Sequence, residues 1–146
     1  MRRISGVLID IDGVLTVSWK PLAGAVPALQ RLHEVGLPLA LVTNTTSRTR
    51  ASIAAALAEA GFAVTARDIL TAPVIAASYL AEHYPGARCL LLNSGDIGED
   101  LAGVALAGAD DPAVDLVLVG GAGPEFSYQA LNAAFGHLQR GARLVA

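Results

Sequence analysis

Val7-Leu-Ile-Asp-Ile-Asp-Gly-Val-Leu-Thr16 is an apolar run that carries two carboxylates, Asp10 and Asp12, into a glycine turn. Ile4 to Asp10 reads as a buried strand. Side chains two apart in an extended segment point to the same side, so both acids are expected to project together beyond the strand end. A parallel sheet receives its ligand at the carboxyl ends of its strands. Paired carboxylates there suit a hard cation held beside an attacking nucleophile. The plainer alternative is that Asp favours a solvated turn. That alternative suits a lone Asp-Gly better than two acids in this frame.

Outward from this run, strands and helices alternate. Thr16 to Leu22, with Trp19 and Pro21, reads as an irregular loop. Ala25 to Val35 puts Val26, Leu29, Leu32 and Val35 on one helical face, and Gly36 is a good stop. Leu37 to Val42 is a second strand, running into Thr43-Asn44-Thr45-Thr46. Ser47 can cap a helix from Arg48 to Glu59 or Ala60, and Gly61 ends it. Such alternation implies βαβ units and a parallel sheet.

After Ala72 the pattern restarts. Pro73 fits the first turn of a helix to about His83, and Pro85-Gly86 breaks it. Arg88 to Leu92 and Asp115 to Val119 read as strands. Tyr128 to Gln139 reads as a helix with Leu131, Ala134, Phe135 and Leu138 inward, and Arg143 to Ala146 begins another strand. The fold class is α/β, divided into residues 1–72 and 73–146, with the boundary between Thr71 and Gly86.

With 53% hydrophobic residues and a mean hydropathy of +0.52, the 146-residue chain has enough apolar mass for a real core and is no disordered polymer. Asp, Gly or Pro interrupts every apolar run before it reaches membrane length, so no membrane partner is expected. Net charge is −3 without a basic cluster, which argues against nucleic acid. Met1-Arg-Arg-Ile-Ser-Gly6 has no apolar signal region, and the single cysteine, Cys89, reads as a buried hydrophobe. The expected setting is the cytoplasm.

Two further stretches stand out. Leu39-Ala-Leu-Val-Thr-Asn44 ends a strand in a hydroxyl and a following amide, donors that suit an anion. Gly123-Pro-Glu-Phe-Ser-Tyr-Gln-Ala-Leu-Asn-Ala-Ala-Phe135 carries Phe126, Tyr128, Leu131 and Phe135, which read as helix packing. The first run resembles the Asp-x-Asp-Gly-Thr/Val-Leu motif of the haloacid dehalogenase superfamily of phosphotransferases. The strand ending in Thr43 resembles that family's second motif. The third stretch, with Thr43-Asn44 and Leu70-Thr-Ala-Pro73, resembles the type IIA branch. Within that branch it is similar to the group of phospholysine phosphohistidine inorganic pyrophosphate phosphatases and their sister hydrolases.

The resemblance implies a Rossmann-like core, with an α/β cap of the C2 type inserted after the second motif. Asp10 would be the nucleophile that forms an aspartyl-phosphate, and Asp12 the general acid and base. The Thr43 hydroxyl and the Asn44 amide would hold phosphoryl oxygens. The metal would be Mg²⁺, bound by the Asp10 carboxylate, the Asp12 backbone carbonyl and a later acidic motif. The implied function is Mg²⁺-dependent hydrolysis of a small phosphorylated substrate: a phosphoramidate, a pyrophosphate, or a sugar or nucleotide phosphate.

The pattern is matched only in its N-terminal part. No lysine follows Lys20, so the third motif is absent. Gly95-Asp-Ile-Gly-Glu-Asp100 imitates the fourth motif, but the resemblance places it in the cap. The natural chain is expected to continue, and these 146 residues alone to be a poor phosphatase or none. An exposed apolar edge would favour a homo-oligomer.

Two other classes compete. A signalling receiver domain also pairs acids at its first strand, but needs an acceptor Asp where Leu92-Asn93-Ser94 stands, and a later lysine. A catalytically dead homologue would serve as an interaction module. Gly121-Ala-Gly-Pro-Glu-Phe126 only begins like a dinucleotide loop. His33, His83 and His137 lack paired spacing, read as surface or half-buried, and imply no zinc. Trp19 and Lys20 fall where the superfamily carries a flap near its substrate, and Arg48 is most simply a solvated helix charge.

Overall fold

A computed structural model describes residues 4–146. They form two compact units: residues up to Asn44 together with Arg50–Thr71, and Thr45–Thr49 together with Ala72–Ala146.

The first unit is built on three parallel strands in the order β1 (Val7–Asp10), β4 (Leu39–Thr43), β5 (Ile69–Thr71). Helix α1 (Ala25–Glu34) joins the first two, and α2 (Arg50–Glu59) joins the last two. Both crossovers step the same way along the sheet, and right-handed crossovers then put both helices on one face. Leu29 of α1 and Ile53 and Leu57 of α2 accordingly meet Ile9, Leu41 and Ile69 in a single core. The opposite face stays open, and Leu8 is 72% exposed. The expected buried strand is therefore buried on one side only, and it starts at Val7 rather than Ile4. Val35, expected inward, is exposed because it is the C-cap residue of α1, where the helix leaves the sheet.

Thr16 to Leu22 is not irregular. Strands β2 (Thr16–Val17) and β3 (Lys20–Pro21) pair antiparallel across a two-residue turn, with Ser18 at φ 50° and Trp19 at φ 63°. Positive φ at both positions is the hairpin turn whose twist matches its strands, normally made by Asn-Gly. Trp19 tolerates it because its half-buried ring packs against the core of this unit. Ser18, by contrast, is exposed. Ser18→Asn is expected to stabilise the chain by about 0.5 kcal/mol, since Asn tolerates the left-handed region best among residues with a side chain. A thermal melt would show a rise of one or two degrees, and a lowered midpoint would speak against strain at this turn.

Strand β5 and the 3₁₀ turn before it, Ala66–Asp68, were not expected from sequence. Thr65 and Asp68 cap that turn, with the Thr65 amide donating to Asp68 Oδ2 at 2.8 Å. The second helix begins at Arg50, two residues later than expected, because Thr45–Thr49 packs with the second unit.

That second unit opens with α3 (Ala72–His83), whose first turn holds Pro73. Its sheet is wholly parallel, in the order β7-β6-β8-β9, from β6 (Arg88–Leu92), β7 (Ala105–Ala107), β8 (Leu116–Val119) and β9 (Arg143–Val145). Helix α4 (Tyr128–Gln139) is capped by the Ser127 hydroxyl, which accepts from the Ala130 amide. It turns Ala130, Ala134 and Leu138 to the sheet, four residues apart. Leu131 and Phe135, expected inward, lie one position round and are exposed, Phe135 by 58%. Small residues win the inner face because they let the helix approach the strands closely. Cys89 is fully buried, and burial pushes its thiol up, so it stays a neutral hydrophobe. Among the described residues no helix is long and apolar enough to cross a membrane.

Candidate active site

The first unit brings its two marked strand ends together. Strand β1 stops at Asp10, exposed, whose Oδ1 accepts from the Ile11 amide at 2.9 Å. Ile11 is 1% exposed and belongs to the core, while Asp12 is exposed again. This out-in-out alternation is what an extended pair of acids requires. The turn then closes on Ile11: its carbonyl oxygen accepts from the amides of Leu15 at 2.9 Å and Thr16 at 3.1 Å. The Gly13 amide donates to the Thr16 carbonyl at 2.8 Å, and Gly13 has φ 80°, which favours glycine whatever the space available. Asp12 is thus held at the rim by backbone bonds on both sides.

The neighbouring strand β4 ends in Thr43, which is buried, and Asn44 follows it, exposed. The parallel register sets Asp10 level with Val42 and Thr43 level with Thr71. By the pleat, Asp10 shares the open face with Val42, whereas Thr43 shares the core face with Leu41. The space these residues have in common is therefore the rim beyond the strand ends, where parallel sheets receive ligands. All four residues singled out from sequence, Asp10, Asp12, Thr43 and Asn44, belong to this one unit.

A cation at this rim would find hard oxygen donors in Asp10 and Asp12. Among the described residues no group of three or more His, Cys, Asp or Glu side chains could hold a metal. Mg²⁺ needs only one or two carboxylates, because it keeps several of its waters. The donor set therefore fits Mg²⁺.

The other marked residues are placed elsewhere. Asp96 and Asp100 belong to the second unit, where Asp96 Oδ1 accepts from the Gly98 amide at 3.0 Å and Asp100 is buried. Lys20 is exposed. His83 is exposed and stacks on Tyr79, ring centroids 4.3 Å apart. His137 departs from the surface reading: it is 3% exposed, with Nε2 2.8 Å from the Ala109 carbonyl and Nδ1 2.9 Å from the Arg140 guanidinium. Nε2 ties α4 to the loop before β8, and Nδ1 meets the C-cap residue of the same helix, so both ring nitrogens are used in the buried site. A cavity of about 610 Å³ in the second unit is lined mostly by apolar groups such as Ala76, Leu91 and Leu118 and contains none of the four rim residues. Nothing in the sequence near Thr46 or Asn93 marks their contact with the backbone after β8, although the Gly120-Gly121 pair there marks a close backbone approach.

A family profile described as haloacid dehalogenase-like hydrolase matches residues 7–107. The chain is 27% identical over 145 residues to an acid sugar phosphatase of Staphylococcus saprophyticus, an alignment covering 99% of this chain and 56% of that protein. Among solved structures, NagD from E. coli K-12 superposes with a TM-score of 0.86 at 29% identity, over 99% of this chain and 57% of that one. Glycerol phosphate phosphatase from Mycobacterium tuberculosis, in complex with magnesium, gives a TM-score of 0.82 at 31% identity, over 94% of this chain and 42% of that one. The chain spans about half the length of the curated relatives it matches.

Proposed function

This chain belongs to the haloacid dehalogenase-like hydrolases, and we propose that it carries the phosphoryl-accepting site of a Mg²⁺-dependent phosphatase for small phosphorylated compounds. The observation that supports this best is the exposed Asp10, buried Ile11 and exposed Asp12, closed by Gly13 on a strand that pairs with the one ending in Thr43.

The Asp10 carboxylate attacks phosphorus, an aspartyl-phosphate bond forms, and the bond from phosphorus to the leaving oxygen breaks. Asp12 gives the leaving oxygen its proton. Asp12 then takes a proton from a water that attacks the same phosphorus, which releases phosphate and restores Asp10. The Thr43 hydroxyl and the Asn44 amide steady the equatorial oxygens, where charge accumulates during transfer. Mg²⁺, held by the Asp10 carboxylate and the Asp12 backbone carbonyl, would supply screening of the repulsion between carboxylate and phosphate.

Two of its relatives, an acid sugar phosphatase and a glycerol phosphate phosphatase, favour sugar or polyol phosphates as substrates. With no lysine after Lys20 to balance the developing charge, these 146 residues are expected to turn over slowly. Binding is therefore the better test. Titrating inorganic phosphate in saturating Mg²⁺ is expected to shift the amide resonances of Gly13 and Asn44 first. Shifts confined to the second unit would contradict the assignment.

A further inference from the structure

Helix α4 ends at Gln139, and the chain turns through Arg140, Gly141 and Ala142 into β9, which starts at Arg143. Gly141 makes that turn at φ 102°, a conformation that favours glycine. So short a turn leaves two arginines at the amino end of the second unit's sheet. Asp115 stands beside them, directly before β8, and its carbonyl oxygen accepts from the Arg143 amide at 2.9 Å. A cavity of about 320 Å³ opens at this place, bordered by Arg140, Arg143, Tyr84 and Asp115. Ala87, Val114 and Leu116 add apolar lining. An apolar lining with a few placed polar groups, at volumes from about 300 Å³ upward, is the make-up of a small-molecule pocket.

The charges around this cavity are of both signs and do not cancel in pairs. Asp115 Oδ2 accepts from the Arg88 amide at 2.8 Å, while the Arg88 guanidinium pairs with Asp111. Arg140 Nη2 lies 2.9 Å from His137 Nδ1. Arg143 Nη1 donates to the Tyr84 hydroxyl at 3.4 Å, and its guanidinium carbon lies 5.6 Å from that ring's centroid. Among the described residues, neither of the two arginines forms an ion pair with Asp115. A guanidinium carries five N–H donors and a carboxylate about four acceptor sites, so most of this bonding capacity is unused at the cavity's border. A plain anion would meet the Asp115 carboxylate and the carbonyl end of α4, both unfavourable to it. A plain cation would meet two arginines. A molecule with both charges matches both poles.

We propose that this cavity binds a small zwitterion, of the class of a free amino acid with a short apolar side chain. Its carboxylate meets Arg143 and Arg140, its ammonium meets Asp115, and its side chain lies on the apolar lining. The site shares no residue with the Asp10 rim and does not depend on the phosphatase reading.

Three probes of nearly one shape separate the poles: L-valine, 3-methylbutanoate, which lacks the ammonium, and 2-methylpropan-1-amine, which lacks the carboxylate. Each is titrated into the full chain at neutral pH, and amide resonances are followed. Valine is expected to shift the Asp115, Gly141 and Arg143 amides saturably and to bind at least about tenfold more tightly than either single-charge probe. Arg143→Gln is expected to weaken valine and 3-methylbutanoate about tenfold and to spare the amine. Asp115→Asn keeps an acceptor oxygen for the Arg88 amide, and is expected to weaken valine and the amine and to spare 3-methylbutanoate. Valine that binds no more tightly than 3-methylbutanoate would overturn the proposal. So would shifts outside residues 84–87, 114–116 and 140–143, or variants that weaken all three probes alike.

Discussion

Asp10→Asn is expected to abolish covalent phosphate incorporation and to lower any Mg²⁺-dependent phosphomonoester hydrolysis at least about 10³-fold. The amide retains the size and the acceptor oxygen of the carboxylate, so the Ile11 amide at 2.9 Å keeps its partner and the turn keeps its shape. What is lost is the anionic nucleophile, and residues acting as nucleophiles carry effects of this size or larger. Asp12→Asn is expected to act differently, because a proton shuttle contributes roughly 10²- to 10⁴-fold. It should slow both half-reactions while leaving Asp10 able to accept phosphate from an activated donor. Single-turnover assays with a good leaving group would separate the two. Equal losses with poor and good leaving groups would speak against Asp12 as the acid.

The second large effect concerns the scaffold. Leu41→Ala is expected to destabilise the chain by about 3 kcal/mol, within the usual range for a buried leucine truncated without full collapse of the cavity. Leu41 is fully buried in the middle of β4, in the same core as Ile11, Leu57 and Ile69, so the cavity would open directly beneath the rim. The melting midpoint should fall by roughly 10 °C. Leu8→Ala, on the open face of the same sheet, is the internal control: it is expected to change stability by less than about 0.5 kcal/mol. Comparable losses at both positions would mean that the open face is covered in solution.

Much of the fold was legible because it follows period and punctuation. Asp10, Asp12, Thr43 and Asn44 could be found because each closes an apolar run, and the two runs are separated by one helix, which forces parallel neighbours. What escaped did so for physical reasons. Strands β5 and β7 have three residues each, too short to show an alternation that differs from chance. The hairpin at Ser18-Trp19 escaped because neither residue is among the Asn, Asp and Gly that usually fill two consecutive positive-φ positions, and packing of the Trp19 ring makes the geometry tolerable. On α4 the large residues looked like the inner face, but Ala130 and Ala134 took it, leaving Tyr128, Leu131 and Phe135 outside. His137 reads from sequence as surface or half-buried because nothing local reveals the Ala109 carbonyl, 28 positions earlier, that its ring meets.

The hydrogen bonds among Thr46, Asn93 and Gly121 are of the same long-range kind. In the sequence Asn93 marks only the lack of a receiver's acceptor, and Ser47 reads as a helix cap. The hydrogen bonds that unite Thr46, Asn93 and Gly121 span 47, 28 and 75 positions. No local pattern encodes them. The glycine pair after β8 was the one available sign, since two adjacent glycines at a parallel strand end imply that something approaches the backbone there.

In the proposed mechanism Asp10 takes the phosphoryl group. The most direct measurement is to incubate the chain with Mg²⁺ and a small acyl phosphate donor, trap the product with hydroxylamine, and locate the modified residue by peptide mass spectrometry. The expected result is hydroxamate at Asp10, absent without Mg²⁺ and absent in Asp10→Asn. Modification at any other residue, or release of phosphate with Asp10 left unmodified, would contradict it.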